Sequence, residues 1–65
     1  METSLRLKHI RENRNLSQEY VGIELGIGQS AYSKIENNKR ELSVKELIKL
    51  SKLFKISIAE ILSDK

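Results

Sequence analysis

Apolar side chains recur three and four residues apart along most of this chain, the spacing of one helix face. Leu7 and Ile10 mark the inner side of a first helix, predicted from about Ser4 to Arg14, with Leu5 at its edge. Val21 and Leu25 give a short second helix its inner face, flanked by Tyr20. Ile27 follows as a core plug, and Tyr32 with Ile35 forms the inner face of a third helix beginning near Gly28. Val44, Leu47, Leu50 and Phe54 are predicted to face inward from a fourth. A short fifth helix carries Ile61 and Leu62.

Start and stop residues fall where this pattern needs them. Ser17 is placed to cap helix two, since its hydroxyl can accept a bond from a free backbone N–H. Ser43–Glu46 and Ser57–Glu60 read as capping boxes, each a serine followed three residues later by a glutamate. Gly26 suits the left-handed residue that ends a helix, and Asn15 and the Asn37–Asn38 pair tolerate the same conformation. Residues 63–65 are expected to fray. The prediction is an all-α fold: five helices in a compact single domain over residues 1–65, whether whole or part of a longer chain.

Composition narrows this further. The chain has no Cys, so no disulfide or thiolate site can staple it. A chain of this length buries only roughly 60% of its unfolded surface. A thin core without staples calls for tight helix packing, a partner chain, or both. No apolar run nears the roughly 20 residues that span a bilayer. The N-terminus lacks the apolar stretch of a secretory signal, so a cytoplasmic protein is expected. The net charge of +3 and pI near 9.4 suit a polyanionic partner.

Only about three residues around Gly26 link helices two and three. So short a link makes the helices cross steeply, the helix-turn-helix arrangement. Gly22 fits a close approach of backbones there, and something should offset its cost inside a helix of roughly 1 kcal/mol against Ala. With Tyr32 and Ile35 inward, Gln29, Ser30, Ser33 and Lys34 point outward in two adjacent rows. Short hydrogen-bonding groups on a rigid helix fit the major groove. There Gln can pair with adenine, Lys can donate to guanine, and Ser adapts.

The stretches "LSQEYVGIELGIGQSAYSKIENNKR" and "LIKLSKLFKISIAEIL" resemble the Cro and phage-repressor type of helix-turn-helix DNA-binding domain, the XRE family, over nearly the whole chain. The resemblance implies a repressor-like fold and roles for matching positions. Gln18 would contact a phosphate and buttress Gln29. Gln29, Ser30, Ser33 and Lys34 would read bases. Asn37, Asn38 and Lys39 would grip the backbone, extended by Arg40. Arg11 and Glu36 would form a structural ion pair. The chain departs from the family at Gly22, where Ala is usual, and at Asn15, Asn38 and Lys55, where Gly is usual. Lys55 is the least comfortable of these. Tyr32 replaces an aliphatic residue, and its hydroxyl would need water or a partner.

Other chemistry finds little support. Lys45, Lys49 and Lys52 form a basic stripe, better read as solvated than membrane-bound because the other side of that helix is needed for the core. His9 stands alone. Ser33 and Lys34 are neighbours that do not face each other, so they make no nucleophile and base. No enzyme, cofactor or metal is expected. The expectation is a transcriptional regulator that binds double-stranded DNA sequence-specifically, reading it with helix three. A two-fold dimer on an inverted repeat would make the site long enough. Ile58 and Leu62 either contact the partner or close the monomer core. The alternatives are a protein–protein module, such as the antitoxin of a toxin–antitoxin pair, and a restriction–modification controller.

Overall fold

Capping chemistry sets the helix boundaries in the computed structural model, which describes residues 3–62. The helices are α1 (Thr3–Asn13), α2 (Gln18–Leu25), α3 (Gly28–Glu36), α4 (Val44–Phe54) and α5 (Ile58–Ile61). Ser17 caps α2 by accepting the Tyr20 N–H. Both predicted capping boxes form, Ser43 with Glu46 and Ser57 with Glu60. Left-handed residues end the elements as expected: Asn15 (φ 56°), Gly26 (φ 77°), Asn38 (φ 60°) and Lys55 (φ 58°).

The core draws on every helix: Leu7, Val21, Leu25, Tyr32, Ile35, Leu50, Phe54 and Ile61 are buried. Ile10, Leu16, Ile27, Leu42, Leu47, Leu53 and Ile56 pack around them. Val44 is a correction. It was expected inside and is 73% exposed. The capping box makes Val44 the first helical residue. It then lies roughly 120° around the helix from Leu50, at 100° per residue. Glu46, Leu50 and Phe54 form the buried side of α4 instead.

An arginine of the α1–α2 loop reaches the end of α4. Arg14 Nε donates to the Phe54 carbonyl at 3.1 Å, with its guanidinium 5.7 Å from the Phe54 ring centre. That bond satisfies one of the carbonyls left open at the C-terminus of α4. Among the described residues, no helix is long and apolar enough to cross a membrane.

Lys55 holds a conformation that disfavours a Cβ by roughly 1–2 kcal/mol. The Lys55→Gly variant should therefore gain about 0.5–1 kcal/mol, the relief of strain exceeding the added freedom of the unfolded chain. Urea unfolding followed by circular dichroism would read this as a higher midpoint. A lower midpoint would show that Lys55 is not strained.

Candidate nucleic-acid interface

The third helix is held by its inner side. Tyr32, Ile35 and Glu36 are buried, and the helical period leaves Gln29, Ser30 and Lys34 exposed while Ser33 is half-buried. Glu36 is the one acidic residue of α3, so its exposed side carries only neutral polar groups and the Lys34 charge. Asn37 Nδ2 lies 3.5 Å from Ser33 Oγ, a long contact that leaves the hydroxyl available. Asn37, Asn38 and Lys39 are exposed in the turn that follows.

The crossing of α2 and α3 is as close as the short link requires. A Cβ on Gly22 would stand 2.3 Å from the Gly28 carbonyl oxygen and 2.8 Å from the Gln29 nitrogen. Gly28 itself has φ 85°, a conformation the sequence reading did not foresee.

At the other end of α3, the Arg11–Glu36 pair forms and is buried. Arg11 Nε donates to Glu36 Oε2 at 2.7 Å and Nη2 to Oε1 at 3.2 Å. Arg11 Nη1 donates to the Leu16 carbonyl at 2.7 Å. Burial alone would raise the Glu36 pKa, but the Arg11 and Gln18 hydrogen bonds outweigh it and hold the carboxyl below its usual value. The Tyr32 hydroxyl is buried without a hydrogen bond. Burial first, and the closeness of the Glu36 carboxylate second, push its pKa up.

One expected role needs correction. Gln18 does not buttress Gln29. Its amide N–H goes to Glu36 Oε1 at 3.0 Å, because a buried carboxylate is a stronger acceptor than a neutral amide. This sets Gln18 beside the C-terminal end of α3, next to the turn carrying Asn37. Arg40, expected to extend the phosphate candidates, also has a partner inside the fold. Its Nη1 and Nη2 donate to the two oxygens of Glu46, each at 3.0 Å. Glu46 Oε1 also accepts the Ser43 N–H that completes the capping box. The capping box was legible in sequence; the second partner of Glu46, six residues back across a loop, was not.

Ile58 is half-buried and Leu62 is 48% exposed, while Ile61 between them closes the core. Leu62 borders an open groove of about 300 Å³ with Leu7, Ile35, Leu42 and Leu47. Among the described residues, no group of His, Cys, Asp or Glu could hold a metal ion.

Comparison with known proteins agrees with this geometry. Residues 7–61 match the HTH_3 helix-turn-helix family. The chain is 38% identical over 60 residues to the control protein C.MunI of Mycoplasma sp, an alignment covering 91% of this chain and 81% of that protein. It is 35% identical over 63 residues to the HTH-type transcriptional activator BcrR of Enterococcus faecalis, covering 97% of this chain but only 31% of the relative. Its fold superposes on the P22 c2 repressor, solved with a synthetic operator, with a TM-score of 0.89 at 23% identity, covering 100% of this chain and 98% of that one. The chain belongs to the helix-turn-helix family, a family of DNA-binding regulators.

Removing one member of the buried pair strands the other charge. Arg11→Met should cost about 3–5 kcal/mol, and adding Glu36→Leu should recover most of it. Acid acts on the same pair. The folded pKa of Glu36 lies below the unfolded one, so its contribution is complete above about pH 5 and is lost as pH falls through the folded pKa. Urea melts between pH 7 and pH 3 would show wild type losing stability in acid and the double variant losing less. Equal acid sensitivity would mean that other carboxylates, Glu46 first, carry the effect.

Proposed function

We propose that this protein is a sequence-specific regulator of transcription that reads the major groove of duplex DNA with α3. The observation that carries the reading is the outward row of Gln29, Ser30, Ser33 and Lys34, fixed by a helix whose other side is buried. Gln29, Ser30, Ser33 and Lys34 contact base edges. Gln18, Asn37, Asn38 and Lys39 contact phosphates and set the register. Arg40 stays with Glu46. The protein binds rather than catalyses, and it works in the cytoplasm, where its DNA is.

One α3 reads too few base pairs to select a site against genomic competitors. The proposal therefore includes a two-fold dimer on an inverted repeat. Such a dimer has to hold its third helices about one duplex turn, roughly 34 Å, apart. The exposed Leu62 and half-buried Ile58 are the proposed contact, with exposed Val44 and Ile48 on α4 enlarging the available apolar surface.

A controller of a restriction–modification system is the form of regulator favoured here over an antitoxin. The match to the control protein covers most of both chains, and the restriction–modification controller protein C.AhdI of Aeromonas hydrophila shares the fold at a TM-score of 0.85 and 27% identity, over 92% of this chain and 91% of its own.

Selection of binding sites from random duplexes near 150 mM salt tests the reading directly. It should return a short inverted repeat; recovery of no preferred sequence would refute it. On the selected site, Gln29→Ala should cost about 1–3 kcal/mol and relax preference at one position. Lys39→Ala should weaken binding to all sequences and flatten the salt dependence by about one unit. Light scattering should give twice the 7.5 kDa chain mass, falling to one chain in Leu62→Asp. A dimer that survives that change would place the contact elsewhere.

A further inference from the structure

Gln18 is a flexible side chain at the first position of α2, and it is held by a carboxylate. Its Nε2 donates to Glu36 Oε1 at 3.0 Å. Arg11 Nη2 reaches the same oxygen at 3.2 Å, so Gln18 is the nearer of the two donors there. The Glu36 side chain, on α3, is 1% exposed, whereas Gln18 is half-buried. One end of the contact is therefore fixed inside the fold. The other sits at the surface, beside the turn that carries Asn37.

A glutamine amide has two ends of similar shape: an NH2 group that only donates and an oxygen that only accepts. Left unheld at a surface, it presents either. An ionised carboxylate accepts and does not donate. Burial raises the pKa of the Glu36 carboxyl, yet the Arg11 and Gln18 bonds outweigh burial and keep it ionised. Only the NH2 end of Gln18 can therefore face it. That contact uses one N–H and leaves the other for an outside acceptor, such as a phosphate oxygen. A turned amide would set its oxygen against the carboxylate and withdraw the donor from the phosphate. Arg11 matters here as well. With Nε 2.7 Å from Glu36 Oε2, it offsets the negative charge that a lone carboxylate would bring near DNA. Holding the amide beforehand also removes rotamer freedom that binding would otherwise have to freeze.

We propose that Glu36 is a positioning residue for a phosphate contact: it holds the Gln18 amide with one N–H inward, which leaves the second N–H as a ready donor to the DNA backbone. The proposal rests on Gln18 lying at the duplex, as in the reading above. It differs from a purely structural ion pair in what it predicts. A structural pair changes stability and overall binding, whichever contact is then removed. A positioning carboxylate makes the worth of Gln18 depend on Glu36 and leaves the worth of Lys39 unchanged. Gln18 is neutral and displaces no counterion. Its loss therefore weakens binding without changing the salt dependence, unlike the loss of Lys39.

The test is a binding cycle in two backgrounds: wild type, and Arg11→Met with Glu36→Leu, which lacks both charges. Gln18→Ala and Lys39→Ala are each made in both. Every protein is titrated against the selected site and against random duplex, at a temperature where circular dichroism shows it folded. In wild type, Gln18→Ala should lose about tenfold on both duplexes. In the background without the pair it should lose little, while Lys39→Ala loses as much as before. Equal Gln18→Ala losses in the two backgrounds, or no loss in wild type, would overturn the proposal. So would a Lys39→Ala loss that shrinks along with that of Gln18→Ala. Should the second background fail to fold, nuclear magnetic resonance of free wild type decides. One Gln18 amide proton should lie downfield of those of exposed Gln29, with slowed rotation about the C–N bond. A Gln18 amide indistinguishable from that of Gln29 would overturn the proposal without any variant. Wild type that binds neither duplex would overturn the DNA reading and the proposal with it, a failure marked by its appearance before any substitution.

Discussion

Glu36 accepts three hydrogen bonds from two other parts of the chain: two from Arg11 on α1 and one from Gln18 at the start of α2. Arg11 in turn holds the Leu16 carbonyl, so the α1–α2 loop is drawn into the same knot. Three helices are thereby fixed in one mutual arrangement. A buried ion pair is a weak source of net stability, because desolvation offsets most of the attraction. Its geometric demand is stronger. An apolar substitute would accept many relative helix positions, whereas the two-pronged Arg11–Glu36 contact accepts few.

The Arg40–Glu46 pair shows the contrast. Its carboxylate is mostly buried, but its guanidinium is more than a third exposed. Solvent screens such a pair, and its direct contribution is small. The value of Glu46 lies in serving two neighbours at once. It completes the capping box of α4 and matches the charge of Arg40 at the end of the loop. This ties the chain leaving α3 to the start of α4, and so fixes the exit of the turn that bears Asn37, Asn38 and Lys39.

Local chemistry was legible in the sequence, and long-range pairing was legible only through resemblance. Ser17, Ser43 and Ser57 announce helix starts because a cap needs only residues within one turn of it. Asn15, Gly26 and Asn38 announce stops for the same reason. Val44 was misread because periodicity alone does not say which of several apolar residues at a helix start faces in; the cap decides that. Gln18 and Arg40 were assigned to DNA through the resemblance; that each also bonds a carboxylate, far from it in sequence or across a loop, was not legible. The close backbone approach at Gly22 was legible from the short link around Gly26; the φ of Gly28 was not, since nothing local marks a glycine that a positive φ requires. The Tyr32 hydroxyl was correctly singled out as a group in want of a partner, and the fold leaves it without one.

The third helix, α3, is short, nine residues, and an isolated helix of that length is not stable in water. Its rigidity has to come from outside, and it is supplied at both ends by different physics. At the N-terminal end, backbone lies on backbone at Gly22, a steric seat with no rotamers to average over. At the C-terminal end, Glu36 is held by charge and hydrogen bonds. Between them Tyr32 and Ile35 fill the core, and the helical period leaves the outward positions no alternative direction. A helix fixed only at one end would pivot about it, and its exposed amide and hydroxyls would sample many bases. Fixed at two, it presents them in one frame, which is the condition for short side chains to discriminate between base pairs at all.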